Sequence, residues 1–408
     1  MTASFDATPN SSTLKSRMTA PPDFQHEVPA SEPATAAPPE FPLARIIRFG
    51  SIVSAILLSA NALVCATASH FFNLPGWLAW QVLPGLLAIA FIPATILRFR
   101  TSHPLLRVVY VVTSAWLGAL NFAVFASLAC WIAEGIFLLA GRPAPLFEIG
   151  ATLFGLALLV TIWGLINAGW LRITRVSVSL PNLPEAWRGR TAALVTDVHL
   201  GPLHGANFVR RITARLRDLQ PDIVLISGDM FDGSPLGLRE LAAPWQDYTA
   251  PLGVFFVAGN HDEFAERRLF LDAARATGIR VLDNESVTID GLDLVGVHDE
   301  EASDPGQLRN ILRRAHTDRQ RPAILLAHRP INLNVAVEEG ISLQLSGHTH
   351  HGQLWPWNLL VRRIYGPFAY GLHRFGKMWV NTSSGAGTWG PPLRVGTKSE
   401  IVLIRFEP

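Results

Sequence analysis

Three histidines occur within four positions in the segment at residues 345–352. The segment follows a short apolar run, residues 341–345, that predicts a β-strand. Because His348 and His350 are two positions apart and flanked by small residues, a strand end or the following loop can aim both imidazoles at one small volume. Imidazole nitrogens are common ligands of divalent transition metals. The spacing therefore predicts half of a metal site, and other strand ends must supply carboxylates and further nitrogen atoms.

Other predicted strands are also followed by side chains that can bind metal. The runs at residues 192–196, 222–227, 253–257 and 323–326 have the apolar composition of buried strands, and polar groups follow each of them. Ligand groups at strand ends are the usual arrangement for sites in α/β domains. The candidate residues, in chain order, are Asp197, His199, Asp229, Asn260, His261, Asp262 and His328.

These residues form five blocks whose order resembles the calcineurin-like metallophosphoesterase superfamily. The family pattern is D-x-H, G-D-x-x-D, G-N-H-[DE], a later lone histidine, and G-H-x-H. The corresponding blocks here are Asp197-Val198-His199, Gly228-Asp229-Met230-Phe231-Asp232, Gly259-Asn260-His261-Asp262, His328 and Gly347-His348-Thr349-His350. The chain is similar to the membrane-attached, bacterial phosphodiesterase-like branch in its preceding apolar segments and in two later runs, Gly385-Ala386-Gly387 and Trp389-Gly390-Pro391-Pro392.

The resemblance implies two divalent metal ions that share one bridging carboxylate. The ligands of the first ion would be Asp197, His199, Asp229 and His350. The ligands of the second would be Asp229, Asn260, His328 and His348. Such mixed nitrogen and oxygen ligands suit Mn, Fe, Zn or Co and do not single out one of them. In the family, the histidine that corresponds to His261 faces the scissile phosphate as a general acid or as a donor to developing charge. Asp262 is expected to orient His261.

Each block taken alone also has a purely structural explanation. Asp197 alone is as readily a helix N-cap or a turn residue, and a lone His328 after a strand is more often a hydrogen-bonded core residue. Asp232 more often supports its loop than binds metal. His351 stands where the related branch commonly has glycine, so it either contacts substrate or is an exposed loop residue. The assignment therefore depends on the occurrence of all five blocks in order.

A hydrophobic segment precedes these blocks. The chain has 408 residues, of which 49% are hydrophobic, and its net charge of +2 does not indicate nucleic acid as the main partner. Cys65 and Cys130 both lie in apolar stretches, so the sequence offers no disulfide framework. We expect four membrane spans at residues 46–71, 78–97, about 106–129 and 147–171, the third with a helical continuation.

The distribution of arginine predicts how these spans are oriented. Arg98, Arg100 and Arg107 lie between the second and third spans, and Arg172 and Arg175 follow the fourth. The opposite connections carry few basic residues, so the positive-inside rule places everything after residue 172 in the cytoplasm. The resemblance to the bacterial branch implies a bacterial cell membrane. A fifth span within residues 104–140 would place that domain outside, and it would require a very tight turn near residue 121.

The chain is expected to have three parts. Residues 1–43 are rich in Pro, Ala, Ser and Thr and are predicted to be disordered, residues 44–171 form a transmembrane helical domain, and residues 172–408 form the metallophosphoesterase domain. Alternating strands and helices, followed by a strand-rich second half, predict a layered α/β domain with two central β-sheets. The resemblance implies the family's four-layer form, with helices outside both sheets.

The resemblance also implies an enzyme that hydrolyses a phosphodiester or phosphomonoester by attack of a metal-bound hydroxide. Attachment to the bilayer favours a lipid-linked or other membrane-associated substrate, on the ground of location alone. One alternative from a different class is a membrane sensor or transporter with a regulatory metal-binding domain, against which the scarcity of polar residues in the spans argues weakly. A protein phosphatase of the same superfamily is the third possibility.

Overall fold

The computed structural model describes residues 43–74, 79–316 and 318–407, which contain eleven α-helices and twelve β-strands. The predicted disorder of residues 1–43 lies outside this range, apart from Leu43. The helices are α1 (Leu43–Phe71), α2 (Ala79–Leu97), α3 (Pro104–Leu139), α4 (Leu146–Gly169), α5 (Ala206–Leu219), α6 (Leu238–Ala242), α7 (Arg267–Arg275), α8 (Asp299–Ser303), α9 (Pro305–Ala315), α10 (Leu333–Glu338) and α11 (Trp357–Tyr365). The strands are β1 (Leu171–Ser179), β2 (Thr191–Val195), β3 (Ile223–Ser227), β4 (Val254–Val257), β5 (Arg280–Val281), β6 (Glu285–Ile289), β7 (Leu292–Gly296), β8 (Ala323–Leu326), β9 (Leu343–Ser346), β10 (Gly371–Phe375), β11 (Met378–Thr382) and β12 (Ser399–Glu407).

The first four helices are strongly apolar. Three of them, over Gly50–Phe71, Pro104–Leu139 and Leu146–Gly169, are long and apolar enough to cross a membrane, and α2 contributes the shorter stretch Gln81–Leu97. Helix α3 has 36 residues and continues without a break past Asn121, so two spans joined by a turn there are excluded. At 1.5 Å per residue α3 is about 54 Å long, whereas the hydrocarbon core of a bilayer is about 30 Å thick. Part of α3 therefore extends beyond the hydrocarbon or is strongly tilted.

Two mixed β-sheets of six strands each form the C-terminal domain. The strand order is β1-β12-β2-β3-β4-β5 in the first sheet and β10-β11-β9-β8-β7-β6 in the second. In the first sheet β2 to β5 are parallel, β12 is antiparallel to β2, and β1 is parallel to β12. In the second sheet β11, β9, β8 and β7 are parallel, and both edge strands are antiparallel to their neighbours.

The two sheets pack against each other because the side chains on their facing surfaces are apolar. Leu194 and Leu225 of the first sheet and Leu326 and Leu345 of the second are fully buried in this layer. Helices α5, α6 and α7 cover the outer face of the first sheet, and α8, α9 and α10 cover that of the second. Strands buried on both faces are continuous apolar runs, which makes them recognisable in the sequence. The four-layer arrangement confirms the predicted fold class.

Three strands and the six helices after α5 are not predicted individually from the sequence. The strands β1, β6 and β10 are edge strands that are only partly buried, so their sequences lack a continuous apolar run. The unpredicted helices are α6 to α11, of which α6, α8 and α10 have only five or six residues. The fourth apolar helix also ends earlier than expected, at Gly169 rather than residue 171, because Leu171 already pairs as the first residue of β1.

The topology brings the site-bearing edge of the first sheet close to α4. Strand β1 begins at Leu171, directly after α4, so its start lies beside the end of that helix. Because β12 is parallel to β1 and β2 is antiparallel to β12, the carboxyl ends of β2, β3 and β4 lie at the same edge as the start of β1. Ser399 pairs with Leu171, and its hydroxyl donates to the Ala168 carbonyl of α4 at 2.9 Å. Residues that follow these strands therefore lie near the apolar helices.

Candidate metal centre

The predicted ligands converge where the carboxyl ends of strands from both sheets meet. Six of the seven predicted ligands, together with His261, form three groups in which the potential ligand atoms lie within 4.8 Å of one another. The groups are Asp197, His199 and His350; His199, Asp229 and His261; and Asp229, His328 and His348. Because Asp229 and His199 each belong to two groups, all three form one continuous cluster. We call these seven residues the His/Asp cluster.

The backbone at the cluster adopts a conformation that residues other than glycine rarely take. The residues with a positive φ are Asp197 (51°), His199 (51°), Asp229 (51°), His348 (67°) and His350 (46°). Each such residue costs about 1–3 kcal/mol and persists only where the surrounding structure enforces it. Strain of this kind concentrates at functional sites, and here it occurs at five of the seven predicted metal ligands.

Glycines at two of the strand ends permit the close approach of the sheets. A Cβ atom at Gly228 would lie 2.5 Å from Nδ1 of His328. A Cβ atom at Gly347 would lie 2.3 Å from Oδ2 of Asp197. Both distances are far shorter than any normal contact, so a larger residue at either position would push the histidine or the carboxylate out of the cluster. This is the physical reason for glycine directly before Asp229 and before the first histidine of the last block.

One half of the cluster contains the first predicted ligand set. The Nε2 atoms of His199 and His350 are 3.0 Å apart. Nε2 of His350 lies 3.3 Å from Oδ1 of Asp197, and Nε2 of His199 lies 3.8 Å from Oδ2 of Asp229. Two imidazole nitrogens this close are stable when they share a proton or bind the same cation. The flanking carboxylates make a shared cation favourable.

The other half contains the second predicted set. Nδ1 of His328 donates to the Ser227 carbonyl at 2.8 Å, while its Nε2 lies 3.1 Å from Oδ2 of Asp229. Nδ1 of His348 lies 2.9 Å from Oδ1 of Asn260. A carbonyl that accepts from one ring nitrogen fixes the tautomer and leaves the other nitrogen free to bind metal. The geometry thus directs Nε2 of His328 towards Asp229.

The protonation states of the histidines differ across the cluster. Burial favours the neutral form of His348 and lowers its pKa to about 3, and burial also holds the pKa of His350 well below its usual value. Burial acts in the same direction on His328, but Asp229 and Asp197 outweigh it and raise its pKa to about 10. A neutral imidazole is the form that binds metal. His328 must therefore lose a proton when a cation binds.

The residues of the cluster fit divalent cations. Nε2 of His328 is buried and faces Oδ2 of Asp229 at 3.1 Å, an ion pair that lacks hydrogen-bond geometry. A cation between His328 and Asp229 would satisfy that nitrogen and neutralise the carboxylate. The nitrogen and oxygen donors suit Mn, Fe, Zn or Co alike.

Asp232 supports two imidazoles of the cluster from behind. Its Oδ1 lies 3.6 Å from Nδ1 of His199 and 3.7 Å from Nδ1 of His261. Its Oδ2 accepts a hydrogen bond from the guanidinium of Arg98, which follows α2 and also donates to the Asp232 carbonyl at 3.0 Å. Both side chains are buried, with 6% and 3% exposed. Asp232 thus has the supporting role anticipated for it, and Arg98, next to the apolar helices, holds Asp232 in turn.

Arg98 is absent from the predicted site, and no local signal could have placed it there. In the sequence it counts only as a basic residue at a membrane boundary, and its partner Asp232 lies 134 positions away. Arg394 was missed for the same reason. Its fully buried guanidinium donates to the Ser384 carbonyl at 2.6 Å and to the Gly387 carbonyl at 2.7 Å, and it lies 3.4 Å from Nδ1 of His350.

His261 lies at the rim of the cluster among aromatic side chains. Its ring centroid is 4.4 Å from that of Phe264 and 5.7 Å from that of Trp389. Burial lowers its pKa to about 4, so the imidazole is neutral near pH 7. His351, by contrast, stacks on Tyr370 with ring centroids 4.5 Å apart, and no hydrogen bond or ring contact joins it to the cluster among the described residues.

The expected orientation of His261 by Asp262 is not found among the described contacts. The Asp262 carboxylate instead accepts backbone N–H groups from Phe231 and Gly259, each at 2.9 Å, and from Met230 at 3.3 Å. The physical reason is that three orphan backbone donors converge on this carboxylate. Asp262 therefore ties the loop that carries Asp229 to the loop that carries Asn260.

Comparisons with known proteins agree with this geometry. The sequence profile of calcineurin-like phosphoesterases matches residues 191–352, which include the whole cluster. The chain is 34% identical over 269 residues to a transmembrane protein with metallophosphoesterase domain of Danio rerio, covering 61% of each protein. It is 33% identical over 239 residues to an uncharacterized metallophosphoesterase of Campylobacter jejuni, covering 58% of this chain and 63% of that protein.

A further relative is matched over more of its length. The chain is 33% identical over 261 residues to an uncharacterized metallophosphoesterase of Helicobacter pylori strain J99, covering 62% of this chain and 70% of that protein. By contrast, it spans only 61% and 63% of the lengths of the Danio rerio and Campylobacter jejuni relatives.

Proposed function

The chain belongs to the calcineurin-like metallophosphoesterase family, and from that premise we propose that it is a membrane-anchored phosphodiesterase with two metal ions. It has a His/Asp metal-binding cluster and N-terminal helices long enough to cross a membrane. The observation that carries the proposal is the position of Asp229, whose Oδ2 lies 3.8 Å from His199 and 3.1 Å from His328. One carboxylate thus faces both halves of the cluster.

In this proposal Asp229 would be shared by two ions. The first ion would be held by Asp197, His199, Asp229 and His350. The second would be held by Asp229, Asn260, His328 and His348. When bound, two such ions make a water molecule nucleophilic and polarise the phosphate oxygens. Support comes from the distances within each set and from the buried Nε2 of His328, which faces the Asp229 carboxylate at 3.1 Å.

The residues around the ions would position the substrate and its developing charge. The lowered pKa of His261 favours donation of a hydrogen bond to a phosphate oxygen over action as a general acid, because a neutral imidazole has no readily lost proton. Asp232, itself fixed by Arg98, would hold the rings of His199 and His261 in place. Phe264 and Trp389 would limit the access of water to His261.

The test uses the full chain, since a fragment that begins at residue 172 would lack the contact between Arg98 and Asp232. Protein in phosphatidylcholine–phosphatidylglycerol nanodiscs, loaded with Mn, should hydrolyse bis(p-nitrophenyl) phosphate. The variants Asp229→Asn and His348→Ala should lose this activity. Asp272→Asn, at an exposed surface position on α7, should retain it.

The same assay separates the competing functions. Hydrolysis of p-nitrophenyl phosphate without hydrolysis of the bis ester would favour a protein phosphatase of the same superfamily. A metal-loaded protein that is inert towards a broad panel of phosphoesters would overturn the enzymatic function and favour a membrane sensor or transporter with a regulatory metal-binding domain.

We also propose that the domain faces the cytoplasm of a bacterial cell. The support is the set of arginines at its end of the helices, including Arg98, Arg107 and Arg172. A cysteine at Arg188, in a chain whose Cys65 and Cys130 are replaced by alanine, should react with a membrane-impermeant maleimide in inverted vesicles only. Reaction in intact cells would place the domain outside.

A further inference from the structure

Helix α11 differs from the other amphipathic helices of the domain. It contains no buried residue, and Trp357, Leu359, Leu360 and Ile364 are 50–65% exposed. Helix α5, in contrast, buries its apolar residues against the first sheet. Across the described residues after position 171, all seven exposed large apolar side chains lie in α11, beside it or at the rim of the cluster: Phe264, Trp355, Trp357, Leu359, Leu360, Ile364 and Trp389.

The start of α11 is attached to the apolar middle of α3. The side-chain amide of Asn121 accepts the indole N–H of Trp357 at 2.9 Å and donates to the Trp355 carbonyl at 3.3 Å. Arg107 marks the end of α3 on the side of the domain, where it donates to the Pro202 carbonyl at 2.8 Å. Asn121 lies about 21 Å farther along the helix at 1.5 Å per residue. The attachment is therefore well within the apolar length of α3.

A second contact holds the neighbouring loop at a similar depth. Leu393 packs with Phe122 of α3 and Leu354, the residue just before Trp355. A Cβ atom at Gly118 of α3 would lie 2.6 Å from Leu393, and one at Gly164 of α4 would lie 3.3 Å from it. Small residues on both helices thus make room for the loop. The segments that flank α11 are fixed in a groove between two helices that are long enough to cross a membrane.

We propose that α11, together with Trp355 and Trp389, lies in the bilayer leaflet on the side of the domain. Its apolar side chains would contact acyl chains, because this surface is continuous with the lipid-accessible surface of α3. Tryptophan is enriched at membrane–water interfaces. The exposed Arg362 and Arg363 in the last turn can extend to lipid phosphates at the leaflet surface. The partner of this surface is the bilayer itself.

The position of α11 determines which part of the bilayer lies next to the cluster. The ring of Tyr365, at the end of α11, lies 6.3 Å from that of His348, and the ring of Trp389 lies 5.7 Å from that of His261. The apolar surface therefore ends at the cluster, which opens at the level of the lipid head groups. A phosphoester of a bilayer lipid reaches the cluster without leaving the leaflet. This last step rests on the proposed function, whereas the position of α11 does not.

Spin labels report the position of α11 directly. Single cysteines at Leu360→Cys and Ile364→Cys, in a chain with Cys65→Ala and Cys130→Ala, are labelled and placed in phosphatidylcholine–phosphatidylglycerol nanodiscs. Both labels should collide more often with oxygen than with a water-soluble nickel chelate. A label at Arg188→Cys, at the opposite edge of the first sheet, should show the reverse. Equal exposure of all three labels to the nickel chelate would overturn the proposal.

Kinetics test the consequence for the substrate. The double variant Leu360→Glu with Ile364→Glu should hydrolyse fluorescent phosphatidylglycerol in vesicles about tenfold more slowly, because charged groups are excluded from the acyl region. Its hydrolysis of soluble bis(p-nitrophenyl) phosphate should change less than about twofold. The matched variant Leu360→Met with Ile364→Met should keep both rates.

Two kinetic outcomes would contradict the lipid route. Equal loss of both activities in the glutamate variant would mean that α11 supports the fold of the site, and unchanged vesicle hydrolysis would mean that α11 is not needed for access. If the unmodified protein hydrolyses no phosphoester at all, the proposed function and the lipid route both fail. The spin labels still decide the position of α11 in that case.

Discussion

The cluster is built differently on its two sides. One side faces the rest of the domain, and the other faces the apolar helices. On the domain side each ligand belongs to a short motif at a strand end. On the helix side the contacts join residues far apart in sequence, since Arg98 meets Asp232 across 134 positions and Asn121 meets Trp357 across 236. The chemistry of this protein is therefore encoded locally, whereas its attachment to the membrane depends on long-range packing.

The largest expected effect is on the domain side. Asp229→Asn removes the carboxylate that faces both halves of the cluster and should lower kcat/KM for bis(p-nitrophenyl) phosphate by about 10³-fold or more, equivalent to several kcal/mol of transition-state stabilisation. The metal content of the purified variant should fall as well. A variant that kept both metals and activity would show that the two halves do not depend on Asp229.

The next effect tests the helix side. Arg98→Ala leaves the buried Asp232 carboxylate without its cation, so it should weaken metal binding and activity by about 10–100-fold, as loss of a partner behind a metal ligand does. Arg98→Lys should recover part of both. Arg107→Ala is the matched control, because Arg107 lies at the same end of the helices but donates to the Pro202 carbonyl and makes no described contact with the cluster. Equal metal affinities, by calorimetry, in the Arg98→Ala and Arg107→Ala variants would contradict the role of Arg98.

The pH dependence of metal binding sharpens the account of His328. Asp229 and Asp197 hold the pKa of His328 near 10 against the effect of burial, so below that pH a proton competes with the cation. Metal affinity should therefore rise with pH between about pH 6 and 8, by about tenfold per unit for each proton displaced. Calorimetry in buffers of different ionisation enthalpy counts those protons. His328→Gln should displace one proton fewer, and an affinity independent of pH would exclude a protonated His328.

The smallest effect is expected at His351, which adjoins His350 in sequence but stacks on Tyr370. His351→Ala should change kcat/KM less than about twofold and lower the free energy of unfolding by about 0.5–1.5 kcal/mol through the lost ring contact. Steady-state kinetics and chemical denaturation measure the two quantities. A tenfold loss of kcat/KM with unchanged stability would instead favour contact between His351 and the substrate.

The fold and the cluster could be predicted because their signals are local. Strands such as β3 and β8 are buried on both faces and are therefore continuous apolar runs, and the ligand motifs follow them directly. Edge strands such as β1 are only partly buried and give no such signal. Residue spacing also does not encode the direction in which a side chain points. The sequence therefore predicted that Asp262 orients His261, whereas the Asp262 carboxylate accepts backbone N–H groups.

The membrane segment shows a further limit of sequence reasoning. Hydropathy predicted a third span at about residues 106–129 with a helical continuation, and α3 runs from Pro104 to Leu139. Hydropathy gave no sign that α3 packs against the domain at Gly118 and Asn121. An apolar helix surface that faces protein and one that faces lipid have the same composition. For that reason the sequence predicts neither the contact of Arg98 with Asp232 nor the exposure of α11.

The most direct test of the central claim is electron paramagnetic resonance of the full chain loaded with Mn²⁺. If Asp229 joins two ions, the protein should bind two Mn²⁺ per chain and give the spectrum of an exchange-coupled pair, and Asp229→Asn should lose that coupling. A single bound ion, or two ions without coupling, in the unmodified protein would contradict the account.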